Sequence, residues 1–406
     1  MTDRPHAHPA AGDDSDCPSG PSLRPRLGSL FASFLRLGAV SFGGPAMVAY
    51  IRQLAVERKG WLGKDDLAQG VALCQAVPGA TAMQCAAYVG LRSRGLAGAV
   101  AAYAGFGLPA FLLMLALASG YRHAVELPAA AAALVGLRAL VVALVANAAW
   151  TFGRTAVRAP LQLLCSAIMA GMFLAGGNPF ILVVVAGLAG TILFRHRPET
   201  LPEAPGAPAQ DWHAFRAPVV VLLVATVLVS ILIVCSPRLA SLCLVMMRVD
   251  LFAFGGGFAS VPLMLREIVQ VRGWLPAETF MDGIALGQVT PGPIVITATF
   301  VGYQVAGLPG ALAGTAGIFL PSLFVVTLAE PWFRRLRGSA AFQGATQGLV
   351  LSFVGLLASV TVQFGRAVPW GVSTALLAAG ALVALRLRVP VYWVVLAGAT
   401  VAVLVR

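Results

Sequence analysis

Charge is what this 406-residue sequence has least of. Asp, Glu, Lys and Arg make up 11% of it, against about 25% in an ordinary soluble domain. With 59% hydrophobic residues, that scarcity excludes a disordered chain and argues strongly against a soluble enzyme. Acidic groups are the scarcer sign, 16 against 28 basic, for a net charge of +12. The five histidines (His6, His8, His123, His196, His213) all lie outside the apolar runs, which argues against a haem or a His-ligated metal within them. No two of the six cysteines have CxxC spacing, so neither a redox pair nor a zinc site is signalled, and five of them read as small buried hydrophobes. There is no nucleophile–base pair and no cofactor fingerprint. The expectation is a protein that is not an enzyme and needs no cofactor.

What is present is long uncharged sequence. Gly283 to Ala329, Ala159 to Phe194 and Gly95 to Tyr121 carry no charge, and a membrane span needs roughly 20 apolar residues. Basic residues that bind nucleic acid cluster on a polar surface; here they punctuate apolar runs, so nucleic acid is excluded and the bilayer is the expected surroundings. Residues 1–26 read as a disordered cytoplasmic tail, not a cleaved leader. Spans are predicted at 27–50, 67–91, 96–121, 127–153, 159–176, 178–194, 217–236, 237–258, 280–303, 308–330, 340–365, 370–385 and 389–405. That makes an all-α polytopic membrane protein with about thirteen transmembrane helices. With a cytoplasmic N-terminus, 17 Lys/Arg fall on the cytoplasmic side and 8 outside, the bias expected of that orientation, and the C-terminus falls outside.

The sequence repeats itself after about 212 residues. Arg36, Phe42, Gly43 and Gly44 match Arg248, Phe254, Gly255 and Gly256; Trp61-Leu62 match Trp274-Leu275; Gln75, Pro78 and Gly79 match Gln288, Pro291 and Gly292; Gly98, Gly105, Pro109 and Gly136 match Gly310, Gly317, Pro321 and Gly348. This divides the chain into a first half (27–194), a linker plus an intervening helix (195–236) and a second half (237–406). An odd number of crossings between the repeat starts turns the second six-helix half over. The predicted architecture is an inverted-topology repeat, which suits a transporter that must show one site to two sides in turn.

Two places in each half break a helix: Ser41-Phe42-Gly43-Gly44-Pro45 with Ala253-Phe254-Gly255-Gly256-Gly257, and Gln75 to Ala80 with Gln288 to Pro293. Gly lets backbones approach closely, and Pro cannot continue the hydrogen-bond ladder. Unpaired backbone at membrane depth is tolerated where protein covers it or a polar cavity is lined by it. The candidate substrate site is therefore Arg36, Ser41, Gly43, Gly44, Gln75, Pro78, Gly79, Arg248, Gly255, Gly256, Gln288, Thr290, Pro291 and Gly292, with Thr81, Gln84, Thr297 and Thr299 nearby. Half-helix N-termini and intramembrane arginines favour an anion. Arg138 has no counterpart in the second half, where Val350 stands. Asp250 and Glu330 are the acidic residues placed within or at the edges of the predicted spans other than at a helix start, and they are the candidates for proton coupling. Asp282 and Glu267 fall in loops or at helix starts.

These motifs resemble the chromate ion transporter family in its long, two-domain form. The resemblance rests on Phe-x-Arg-x-Gly-x-x-x-Phe-Gly-Gly-Pro at 34–45, Phe-Gly-Gly-Gly at 254–257, Gly273-Trp274-Leu275, Gly287 to Pro293 and Ala298 to Tyr303. It covers roughly residues 28–400. One departure is Ala80, where the family's first half has a second Pro. The resemblance implies chromate export from the bacterial cytoplasm across the inner membrane, giving chromate resistance, with sulfate as a close mimic; the expected drive is the membrane potential, a proton gradient or both. A sulfate or other oxyanion transporter of either direction is the alternative. A homodimer is compatible with the sequence.

Overall fold

The computed structural model describes residues 25–42, 44–194, 216–333 and 338–404. Most of the predicted tail, the linker and Gly43 lie outside the described residues. Within them there are fifteen α-helices and no strand. The first half contains α1 (Leu27–Val40), α2 (Gly44–Arg52), α3 (Lys64–Ala76), α4 (Thr81–Glu126), α5 (Pro128–Ala156), α6 (Pro160–Leu174) and α7 (Pro179–Leu193). After α8 (Arg216–Cys235) the second half repeats the series as α9 (Pro237–Leu251), α10 (Ser260–Met264), α11 (Ala277–Val289), α12 (Thr297–Ala329), α13 (Ala340–Ala367), α14 (Val372–Arg386) and α15 (Val391–Leu404). Both α2 and α10 run on into a π-helical turn, Gln53–Arg58 and Leu265–Val271.

The repeat reaches the backbone angles. Gly60 and Gly273 both have φ +59°, Gly79 and Gly292 have +118° and +119°, and Gly95 and Gly307 have +65° and +61°. Left-handed values of this kind favour glycine, which explains why glycines dominate the matched positions.

Five segments are long and apolar enough to cross a membrane: Thr81–Glu126, Pro128–Ala156, Arg216–Cys235, Ile294–Ala329 and Ala340–Ala367. Four of the predicted spans are something else. In 27–50 and 237–258 the helix breaks at the Phe-Gly-Gly motif and folds back. The rings of Phe34 and Trp61 stack 6.3 Å apart, where a straight helix would separate the two residues by about 40 Å. In the second half Arg248 meets Glu267 at 3.4 Å and Arg272 donates to Ser241 Oγ at 3.1 Å. Residues 67–91 and 280–303 fold back at Pro-Gly. The Tyr88 hydroxyl donates to Asp66 O at 3.2 Å, the Tyr88 ring fills the space beside Gly70, and the Phe300 ring fills that beside Gly283. Each leg has about 14 residues and spans about 21 Å, less than the ~30 Å hydrocarbon core. The predicted single spans are thus pairs of short antiparallel legs.

A further reversal follows each Pro-Gly hairpin. It lies inside α4 and α12, where the chain leaves helical geometry at Arg94-Gly95 and at Ala306-Gly307. Gly90 then lies against the backbone of Gly98, and Gly302 against Gly310. Residues eight apart in a straight helix are about 12 Å apart. A Cβ at any of these glycines would strike backbone.

Candidate functional site

The tips of the four hairpins meet. Gly79 N donates to Ala253 O at 3.0 Å and Gly292 N donates to Ser41 O at 2.9 Å. These are the same bond made twice, since Gly79 matches Gly292 and Ser41 matches Ala253. Each Pro-Gly tip therefore gives its N–H to the Phe-Gly-Gly tip of the other half. A Cβ on Gly256 would lie 3.3 Å from Thr81 Oγ1, and one on Gly257 would lie 2.6 Å from Ile294 Cγ2. Positive φ at Gly79 and Gly292 lets the chain turn there, and a Cβ would press into Ser322 in one half and Ala110 in the other.

Polar atoms are buried around these tips without partners. Among the described residues they include Ser41 Oγ, Gln84 Oε1, Asp250 Oδ1 and Gln288 Nε2. An unpaired buried polar group costs about 1–3 kcal/mol, so four of them along the hairpin tips call for an explanation. Asp250 is almost fully buried; its Oδ2 accepts from Ser322 Oγ at 2.7 Å, and Ser322 Oγ accepts from Ala80 N at 3.0 Å. Gln84 Nε2 donates to Pro78 O, which holds the first-half tip closed from inside.

The other expected site residues divide. Thr290 and Thr297 are buried but bond to carbonyls within their own turns, Gly287 O and Ile294 O. Thr299 shares a 2.7 Å bond with Thr315. Pro78 and Pro291 sit at the tips, and Gly255 and Gly256 have φ of +97° and +93°. Gln75 is exposed. Arg36 is exposed on α1, whereas Arg248 lies 3.9 Å over the Phe180 ring and pairs with Glu267. Neither arginine joins the buried cluster. Glu330 pairs with Arg92 at 3.4 Å, which makes it one half of an ion pair at the end of α12.

Two acidic residues differ from expectation. Glu267 is buried between Arg248 and Arg272. Asp282 is fully buried inside α11 and accepts three bonds: from Arg138 Nε and Nη2, each at 2.8 Å, and from the Tyr121 hydroxyl at 2.7 Å. Arg138 and Tyr121 belong to the first half, so this cluster ties the two halves together. Sequence reasoning missed Ser322 and Asp282. Ser322 directly follows Pro321, the repeat partner of Pro109, and reading one residue past that match would have found it.

Helices broken in matched pairs, whose tips converge on buried unsatisfied polar groups, define a membrane transport protein. The chromate transporter family model matches residues 28–191 and 240–403, one match per half, and the chain belongs to that family. It is 40% identical over 344 residues to an uncharacterized transporter of Methanocaldococcus jannaschii, MJ0718, covering 85% of this chain and 86% of that one. It is 31% identical over 355 residues to the chromate transport protein of Cupriavidus metallidurans (87% and 86% covered). It is 30% identical over 346 residues to the chromate transport protein of Pseudomonas aeruginosa (83% and 80%). No solved structure matches.

Proposed function

We propose that the chain is a secondary transporter that exports chromate from the cytoplasm by alternating access, using the four-tip convergence as its substrate site. The observation that carries this reading is the pair of reciprocal bonds, Gly79 to Ala253 and Gly292 to Ser41, set among unpartnered polar atoms. The substrate-contacting groups are Ser41, Gln84, Gln288 and the backbone at Pro78-Gly79 and Pro291-Gly292. Arg36 and Arg248 stand outside this shell.

Treating the hairpins as re-entrant leaves nine crossing helices, α4 to α8 and α12 to α15, an odd number that keeps the N-terminus inside and the C-terminus outside. Arg52, Arg58, Lys59 and Lys64 then join the cytoplasmic side while Arg266 and Arg272 leave it, and the Lys/Arg bias sharpens from 17 against 8 to 19 against 6. The positive-inside rule favours this arrangement. Inverted halves are supported by the ends of the long helices. Tyr121, late in α4, reaches Asp282 on a second-half leg, and Glu330, at the end of α12, reaches Arg92 on a first-half leg. Each long helix starts beside its own hairpins and finishes beside the other half's, as antiparallel halves require.

With the cell interior negative, a dianion moved outward gains about 4.6 kcal/mol per 100 mV, so the potential alone can drive export. Proton coupling falls to Asp250, because Glu330 is engaged at the periphery. Everted membrane vesicles turn export into uptake and test the reading. Energised chromate uptake is expected for the wild type and for Arg36→Ala, and is expected to be lost in Gly79→Ala and Gly292→Ala proteins that still insert. Wild-type uptake no higher than in empty vesicles would overturn it.

A further inference from the structure

The two halves share a backbone but not the side chains at their tips. Asp250 on α9 and Ser322 on α12 are matched in the first half by Gly38 and Ala110. We propose that the four-tip site is therefore one-sided, and that its first-half side, Pro78 to Gln84 facing Asp250 held by Ser322, makes it a site for an oxyanion accompanied by one proton. The proposal rests on the transport reading above and specifies which ions that site accepts.

The groups crowd into one small space. A Cβ on Gly79 would overlap Ser322 Oγ and lie 2.7 Å from Gln84 Nε2. Ser322 donates to Asp250 Oδ2 and takes the Ala80 N–H, so both of its strong bonds are spent on orienting the carboxyl. What remains open is Asp250 Oδ1 and Gln84 Oε1, and Gln84 is oriented by its amide bond to Pro78 O. Both are acceptors when Asp250 is ionised. At the other tip the open atoms, Ser41 Oγ and Gln288 Nε2, are donors.

A tetrahedral ion that has lost all its protons offers only lone pairs. It suits the Ser41 and Gln288 donors and is repelled by a bare carboxylate. One proton carried by the ion removes the conflict: an O–H on the ion donates to Asp250 Oδ1, while Ser322 keeps Oδ2 of the ionised carboxylate. Among the described residues, the groups facing Asp250 supply no cation to change this. Tyr103 from α4 donates its hydroxyl to Phe319 O at 2.7 Å, the 77–80 tip and α12 bring only amides and Ser322, and Arg248 on the same helix is turned to Glu267 and Phe180. Ions of weak acids, such as chromate and arsenate, keep a proton near neutrality; sulfate and selenate do not. A site that must hydrogen-bond a proton discriminates against an ion lacking it. A proton that travels with a dianion also halves the charge moved across the membrane.

The test is binding to the purified full-length chain in detergent, read as thermal stabilisation by chromate, arsenate and selenate at pH 6 and pH 8. The wild type should half-saturate with chromate and arsenate at concentrations at least about tenfold below selenate, and chromate should weaken about tenfold from pH 6 to pH 8. Asp250→Asn offers a permanent donor, so selenate should tighten, the preference should shrink to within about threefold and the pH dependence should disappear. Asp250→Glu should keep the preference. Equal wild-type affinity for chromate and selenate at both pH values would overturn the proposal, with or without a folded variant, as would an unchanged preference in Asp250→Asn. The expected order of binding without vesicle uptake would overturn the transport reading alone, whereas no stabilisation by any of the three ions would overturn both.

Discussion

The two ends of the molecule are tied shut in different ways. At one end Arg138, Tyr121 and Asp282 form a buried cluster with three bonds of 2.7–2.8 Å, the aspartate fully buried and the arginine side chain 18% exposed. At the other, Arg92 reaches Glu330 at 3.4 Å and Asp66 at 3.6 Å, with side chains 41%, 25% and 42% exposed. The positions match through the repeat: Arg92 corresponds to Gln304, which donates to Ala118 O at 3.0 Å, and Ala118 corresponds to Glu330. A buried bidentate pair is costly to break from one side, and an exposed long pair is nearly free. A fold with near-identical halves thus has one stiff end and one loose end. In the proposed alternating-access cycle the buried cluster is the tie that holds, and opening starts by parting Arg92 from Glu330.

The largest effect should come from unpairing the stiff end. Asp282→Ala leaves the Arg138 guanidinium without its partner and should cost about 3–5 kcal/mol, read as a large fall in thermal midpoint in detergent. Replacing Arg138 together with Asp282 by apolar residues should recover most of that loss. If the single substitution costs no more than Arg92→Ala, the contrast between the ends is wrong.

Next come the reversals in α4 and α12. Gly90→Ala and Gly302→Ala each put a methyl into facing backbone and should cost about 1–3 kcal/mol. The comparison predicts equal penalties in the two halves, because the crossings are copies. Thermal midpoints that differ widely between the two would show that the reversals carry different loads. Arg92→Ala should cost under about 1 kcal/mol while raising the labelling rate of a cysteine placed at Ser93, as the loose end opens more often.

The smallest effect should be at Arg248. Its side chain is 47% exposed, so Arg248→Lys, which keeps the charge and weakens the stacking on Phe180, should cost a few tenths of a kcal/mol. A loss of chromate uptake in that variant, with insertion intact, would return Arg248 to the substrate shell.

Much of this was legible in the sequence, and the reasons are local. Gly-Gly and Pro-Gly interrupt a helix whatever surrounds them, so the four breaks could be read from Phe42, Pro78, Phe254 and Pro291 with their glycines. The repeat was legible because matched glycines hold the same left-handed angles. The fold-back at each break was not. Two apolar legs of about 14 residues have the length and hydropathy of one crossing, and only contacts such as Arg248 with Glu267 distinguish them. Asp282 was misplaced for a related reason. Its partner Arg138 lies in the other half, and no local pattern marks a pair that forms only when the halves close on each other. The asymmetry at the tips was legible in principle, since Gly38 and Asp250 align. Packing explains why it persists: a Cβ at Gly38 would strike the backbone carbonyl of Phe106, so the first half has no room for a carboxylate there.

The crossed bonds between tips also bear on assembly. Gly79 needs a carbonyl that only the second half supplies, and Gly292 needs one from the first. Neither half can finish its own turn, so each serves as the mould for the other. A polypeptide carrying one half alone would have to meet a second copy of itself before its tip glycine found a partner. Joining the two in one chain removes that search, and α8, a single apolar helix between them, is what the proposed inverted arrangement needs to turn the second half over.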